Sequence, residues 1–345
     1  MKEDKGKSML FDAVFVSWMN FCRRAAVLSD VMGVRCLFVK NLINSRGLVW
    51  RLFFLVDYLY KAMRTSMFLM RYRPDTVFAQ SPPRLCPMLC FAYCKFFGKD
   101  LVVDAHNKAF ERPWIYVPGY KHILRAAKTV IVHNREYADY LRQKYPGISF
   151  FVLPDKLPVF AGVENRSYEG QEKYFLVILS YDRDEPVKEI LDAAIEFMAS
   201  DSTGITFKIT GNYKKTMDVY QQYKDADGID FLGFVSDKEY IRYLLNAYGV
   251  IALSTRKMIQ QSATVEALGA SVPLIVSESP TSKRLFFKGA VITRTDKKSI
   301  LWAIRDFCDR RDLLAKEIVE VRSLWESDWK KSYNRFLQLA DLAAL

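Results

Sequence analysis

Asp104 and His106 lie two residues apart where the β-rich run LVVDAHN ends, which puts a carboxylate and an imidazole on one side of an extended chain. Such a pair can orient a hydroxyl group or stabilise developing charge, and the sequence has only three histidines to spend. His133 follows the run TVIV in the same manner, where capping of the next helix by Asn134 or His133 itself, or simple packing, is the expected role. His122 has no supporting context.

A second concentration of chemistry falls in STRKMIQQSATVEALGASVPLIVSE, from Ser254 onward. A strand ends at Leu253, a polar loop with Arg256 and Lys257 follows, and a helix runs from Ser262 to Gly269 ahead of the next strand, PLIV. The free N–H groups and positive dipole end of that helix suit a diphosphate, and the two cations add charge in the same loop. Glu266, one turn in, can take two hydroxyls of a ribose or sugar by paired hydrogen bonds, although dipole compensation alone would also account for it. Asp182-Arg183-Asp184 spells the triplet that holds a divalent cation in some transferases, but it follows only the first strand of its α/β series and reads as an acidic loop rather than a metal site.

Positioning these groups requires strands and helices in alternation. Strands are expected at 12–16, 35–39, 76–79, 101–104, 129–132 and 149–153, then at 175–179, 206–210, 229–232, 249–253, 273–276 and 290–293, with helical periodicity between them. This pattern predicts α/β architecture with parallel sheets, whose ligands gather at the carboxyl ends of the strands. The stretch from Pro154 to Tyr174 is rich in turn residues and reads as a linker. The expected domains are therefore 1–158, a linker at 159–173, a second domain at 174–320, and a C-terminal helix at 321–345 packing back towards the first. In that last segment Trp325, Trp329, Tyr333 and Phe336 form one aromatic stripe, a packing face.

The net charge of +12 is unevenly placed, because residues 1–150 carry 24 basic and 11 acidic side chains while the remainder is nearly balanced. A first half at +13 is drawn to phosphate-bearing surfaces such as anionic lipid or nucleic acid. No nucleic-acid module accompanies it, which excludes that partner from the expectation. The segment from Leu48 to Tyr72 carries too many charges to span a bilayer and reads as a basic amphipathic helix, either core-facing or lying on anionic lipid. Six cysteines without a CxxC pair, and no secretory signal, point to free thiols in a reducing cytoplasm.

Taken in order, ILSYDRDEPVKEILDAAIEF, FKITGNYKK, IDFLGFVSDKEYIRYLLNAYGVIALSTR, SATVEALGASVPLIV and SLWESDWKKSYNRFLQL resemble the retaining, GT-B-type glycosyltransferases that use nucleotide-sugar donors, in the bacterial group called family 4. VVDAHNKAFE, TVIVHNREYADYL and FFVLPDKLP look like acceptor-domain strand ends of the same group, and the resemblance covers Phe11 to Leu339. It implies two Rossmann-like domains facing a cleft. It also implies that Arg183 and Lys188 face the donor diphosphate, that Gly211 and Asn212 close the strand bordering the nucleotide, and that Phe234 and Val235 pack on the base. The amides of Ser262 and Ala263 would face the phosphates, with Glu266 as the ribose ligand and His106 and Asp104 holding sugar or acceptor. One departure stands out: Met258 occupies the position of the family's other glutamate, leaving Gln260 or Gln261 to reach the donor sugar.

The expected activity is transfer from a nucleotide-diphosphate-sugar, a UDP-sugar being favoured, to a glycan or a lipid-diphosphate-linked acceptor in bacterial polysaccharide or lipopolysaccharide synthesis. No metal or other cofactor is expected, and the protein would sit peripherally at the inner face of the cytoplasmic membrane. The alternatives are a degenerate binding or scaffold protein, which Met258 favours, and a nucleotide-sugar epimerase, whose acid/base set is not evident.

Overall fold

The apolar runs AVFVS, TVFAQS, TVIV, GVIA and LIVS are buried along their whole length, the signature of strands covered on both faces. The computed structural model describes residues 12–42, 48–112, 114–160, 172–200 and 203–342. Within them the strands form two six-stranded sheets, parallel throughout.

The first sheet contains β1 (Ala13–Ser17), β2 (Arg35–Phe38), β3 (Thr76–Ser81), β4 (Asp100–Ala105), β5 (Thr129–Val132) and β6 (Phe150–Val152), ordered β2-β1-β3-β4-β5-β6. Helices α1 (Arg23–Met32), α2 (Leu48–Tyr72), α3 (Leu85–Phe97), α4 (Tyr120–Ala126) and α5 (Arg135–Lys144) make its crossovers. The second contains β7 (Tyr174–Ile178), β8 (Thr206–Thr210), β9 (Ile229–Gly233), β10 (Gly249–Ala252), β11 (Leu274–Ser277) and β12 (Ala290–Thr293), ordered β12-β11-β10-β7-β8-β9. Its helices are α6 (Val187–Ser200), α7 (Met217–Tyr223), α8 (Asp237–Asn246), α9 (Ser262–Gly269), α10 (Pro280–Leu285) and α11 (Lys297–Asp309), and α12 (Arg311–Leu339) follows, its residues from Trp329 on belonging to the first unit. Strand order reverses between β7 and β10, so the loops after these two strands flank the switch point at which α/β sheets bind ligands.

The chain divides into two compact units, 1–156 together with 329–345, and 157–328. Most of the expected linker, 161–171, lies outside the described residues, as do the first eleven positions on which the absence of a signal was read. Ahead of α7 the chain makes a tight turn over Tyr213–Thr216, because the Asn212 side chain accepts from the Lys214 N–H and closes it. The aromatic stripe of α12 is packing: Trp329 donates to the Pro154 carbonyl at 3.0 Å, and Phe336 is fully buried against Phe78 and Phe151. Cys86, Cys90 and Cys94 lie buried along one face of α3 as free thiols.

Helix α2 forms over the expected residues. Asp57, Lys61, Thr65 and Leu69, spaced i, i+4, are the buried seam. Lys61 pairs with Asp57 at 2.7 Å and donates to Asn41, and Thr65 accepts from the Trp18 indole at 2.8 Å, so the inward polar groups are paired with one another or with neighbouring side chains. Among the described residues no helix is long and apolar enough to cross a membrane.

Candidate functional site

In the first unit the parallel register pairs Asp104 with Ile131, which carries His106 and His133 to neighbouring positions just past the ends of β4 and β5. Their ring centroids are 5.0 Å apart. Behind them stands Arg24, in the first turn of α1, buried and fully committed: Nε donates to Asp104 Oδ1 at 2.9 Å, Nη1 to Asp155 Oδ1 at 2.5 Å and Nη2 to the Leu153 carbonyl at 2.8 Å. Asp155 in turn approaches His133 Nδ1 at 3.5 Å. Both carboxyls are held below the ordinary aspartate range: burial opposes ionisation, but Arg24, with the histidines, outweighs it. The same pairing holds the Arg24 guanidinium charged against its own burial.

His106 is the most exposed member of this cluster, its side chain 32% exposed against 23% for Asp155 and 13% for His133. Burial, reinforced by His133 and opposed by Asp104, lowers its pKa to about 4, so the ring is neutral at pH 7. The Gln80 amide approaches His106 Nε2 at 3.1 Å, with Ser17 at its Oε1; in that amide orientation Nε2 accepts and Nδ1 carries the ring's proton. Asp104 has no exposed surface. Expected with His106 to hold sugar or acceptor, it accepts from Arg24 and lies 3.8 Å from His106 Nε2.

In the second unit the switch-point loops are tied together. Asp184 accepts from the Ser254 hydroxyl at 2.5 Å and its carbonyl from Thr255 N–H at 2.7 Å, while Asp182 pairs with Lys215 at 3.2 Å. The two carboxylates of the DxD triplet thus serve different partners. Gly211, at φ +99°, holds β8 against β7 so closely that a Cβ there would lie 2.0 Å from the Leu179 carbonyl oxygen. Asn212 follows as the cap of the tight turn. Lys215 also donates to the Ser180 carbonyl at 2.6 Å, closing the same loop.

Gln261 precedes Ser262 and Ala263, the opening residues of α9, and its side chain makes no capping hydrogen bond to the helix. Gln261 is turned back, its amide donating to the Leu253 carbonyl at 3.2 Å. Arg256 is half-buried in the same loop and Met258 is exposed beside it. Glu266 is half-buried and accepts a short hydrogen bond from the Tyr240 hydroxyl of α8. Arg183 and Lys188 are exposed, in the loop after β7 and the first turn of α6, and pair with no described residue. Phe234 is 83% exposed and Val235 half-buried, both between β9 and α8.

The sequence reading missed Arg24, Gln80, Asp155 and, as a site member, His133 in the first unit, and Tyr240 and Lys215 in the second. His133 had a signal, since DAHN and IVHN end adjacent parallel strands. Arg24 had none: its carboxylate partners are 80 and 131 positions away.

No family model matches the chain, and no curated protein does. Among solved structures it is similar to Anabaena HepE in complex with UDP and glucose, with a TM-score of 0.69 and 12% identity over 97% of this chain and 100% of that one. The chain has the GT-B fold. A glycosyltransferase from Rickettsia africae is similar at a TM-score of 0.63, with 11% identity over 94% of this chain and 89% of that one. For TarM the values are 0.59 and 14%, over 77% of this chain and 54% of that one. These proteins share the GT-B architecture of two parallel α/β sheets with the present chain.

Proposed function

We propose that the protein is a glycosyltransferase that moves a sugar from a nucleotide-diphosphate-sugar, with UDP favoured, to a glycan or lipid-diphosphate-linked acceptor. The observation that carries this reading is the N-terminus of α9, which the Gln261 side chain leaves uncapped, with Arg256 in the loop before it and Glu266 one turn in, at the switch point of a fold that HepE uses with UDP and UDP-glucose. Its amides and Arg256, supplemented by the exposed Arg183 and Lys188, would neutralise the diphosphate as its bond to the anomeric carbon breaks. Glu266, oriented by Tyr240, would take the ribose hydroxyls, and Phe234 with Val235 the base.

In the first unit the neutral His106 would donate from Nδ1 to a hydroxyl of sugar or acceptor, with Asp104, Arg24 and Gln80 fixing the ring. Charge on the departing diphosphate is met by protein cations, and the transfer is proposed to need no metal and to retain anomeric configuration. The pathway we infer is bacterial cell-surface polysaccharide or lipopolysaccharide synthesis, with the protein peripheral to the inner face of the cytoplasmic membrane. The +13 first half supports an anionic surface as partner.

Met258 favours a second reading, a binding protein that has lost turnover, because a thioether replaces a carboxylate acceptor for sugar hydroxyls. Gln261 is committed to the Leu253 carbonyl, whereas the amide atoms of Gln260 are buried without a hydrogen-bond partner among the described residues. Gln260 is thus the better substitute. A UDP-release assay across UDP-sugars, with a bacterial lipid extract as acceptor source, separates the readings. Release with one donor, lost in Glu266→Ala, is expected; nucleotide binding without release from any donor would favour the binding protein.

A further inference from the structure

Helix α2 packs Asp57, Lys61 and Thr65 inward together with Leu69, Phe68 and Tyr72, and also carries a stripe of apolar residues on its outward face. Leu55, Leu59, Met63 and Met67 continue one stripe at i+4 spacing and are 61%, 70%, 54% and 62% exposed, with Val56 and Met70 beside them. A soluble surface helix turns its apolar stripe to the core, and scattered single apolar residues do not account for a stripe over four turns. Arg64 and Arg71, both exposed, follow one flank, and Phe53 and Phe54 stand exposed in its first half.

We propose that this outward face of α2 seats the protein on an anionic lipid bilayer. The proposal deepens the membrane clause of the function above and rests on that clause alone, not on the donor site. At about 1.5 Å per residue, α2 is long enough to lie across many headgroups, and its inward Asp57–Lys61 pair belongs to the protein core, so the helix lies in the interface rather than crossing it. Thioether and branched side chains enter the acyl boundary while the flanking guanidinium groups remain with the phosphates. A second copy of the chain is the poorer occupant, because it would bring two +13 halves together, whereas an anionic bilayer neutralises that charge.

The test uses the full chain and vesicles of phosphatidylcholine with about one-third phosphatidylglycerol, read by co-sedimentation. Wild type is expected to pellet, and Leu59→Glu/Met63→Glu to partition roughly tenfold or more weakly, since each carboxylate must leave water for the interface. Both side chains point to solvent, so the variant should keep the thermal unfolding midpoint of wild type and its stabilisation by UDP. Wild type remaining in the supernatant, a variant that pellets equally, or a concentration-dependent dimer dispersed by the two substitutions in place of vesicle binding would each overturn the proposal. Vesicle binding without any response to UDP would leave this face standing and count against the donor-site reading alone.

Discussion

Arg24→Met tests whether the first unit's site is held by one buried guanidinium. The methionine keeps most of the aliphatic stem but removes every hydrogen bond to Asp104, Asp155 and Leu153. Asp104 then stays buried with no compensating cation, and breaking a buried pair in this way costs about 3–5 kcal/mol at pH 7, or roughly three decades in the unfolding equilibrium. The pH dependence has a definite sign. In wild type both carboxyls titrate below their ordinary range, so their stabilisation is present above the unfolded carboxylate pKa and is lost as pH falls through the folded values. In the variant burial acts without the guanidinium and favours the protonated acids. The stability deficit should therefore be largest at neutral pH and shrink as pH falls towards about 4. Urea unfolding followed by tryptophan fluorescence reports on this region, because Trp329 bonds to Pro154, beside Asp155. A deficit under about 1 kcal/mol, or one that does not change with pH, would refute the reasoning.

Gly211→Ala should lower stability by about 2–4 kcal/mol, since a φ of +99° strains any side chain and the Leu179 carbonyl lies where the methyl group must go; an unchanged thermal midpoint would contradict the close β7–β8 approach. His106 should stay neutral down to a pH of about 4, which a proton NMR titration of its ring resonances reads directly; a midpoint near the ordinary histidine value would show a solvated ring free of the cluster. Because its folded pKa is the lower one, the native state loses stability on this account as pH falls from the unfolded value towards 4, and His106→Gln should flatten that part of the profile.

The alternation of buried apolar runs with helical periodicity was legible because it follows from local spacing alone. So were the helix at Ser262 and the aromatic stripe of α12. The orientation of α2 was not, since local spacing does not show that Asp57 and Lys61 pair with each other inside, or that Thr65 meets Trp18 there. Asp104 and His106 were visible as a pair at a strand end. The division of labour between them was not, because it depends on Arg24 and Gln80, which only the β1-β3-β4 neighbourhood brings alongside. Tyr240, likewise, reaches Glu266 from a different helix 26 positions away.

The central claim is that the second unit binds a nucleoside diphosphate at the N-terminus of α9, and calorimetric titration of wild type and Glu266→Ala with UDP measures it most directly. Wild type is predicted to bind UDP equally with and without EDTA, and the variant to bind about 10- to 100-fold more weakly, the loss of charge-assisted hydrogen bonds to ribose hydroxyls. No heat with any nucleoside diphosphate, or equal affinity in the variant, would contradict the account.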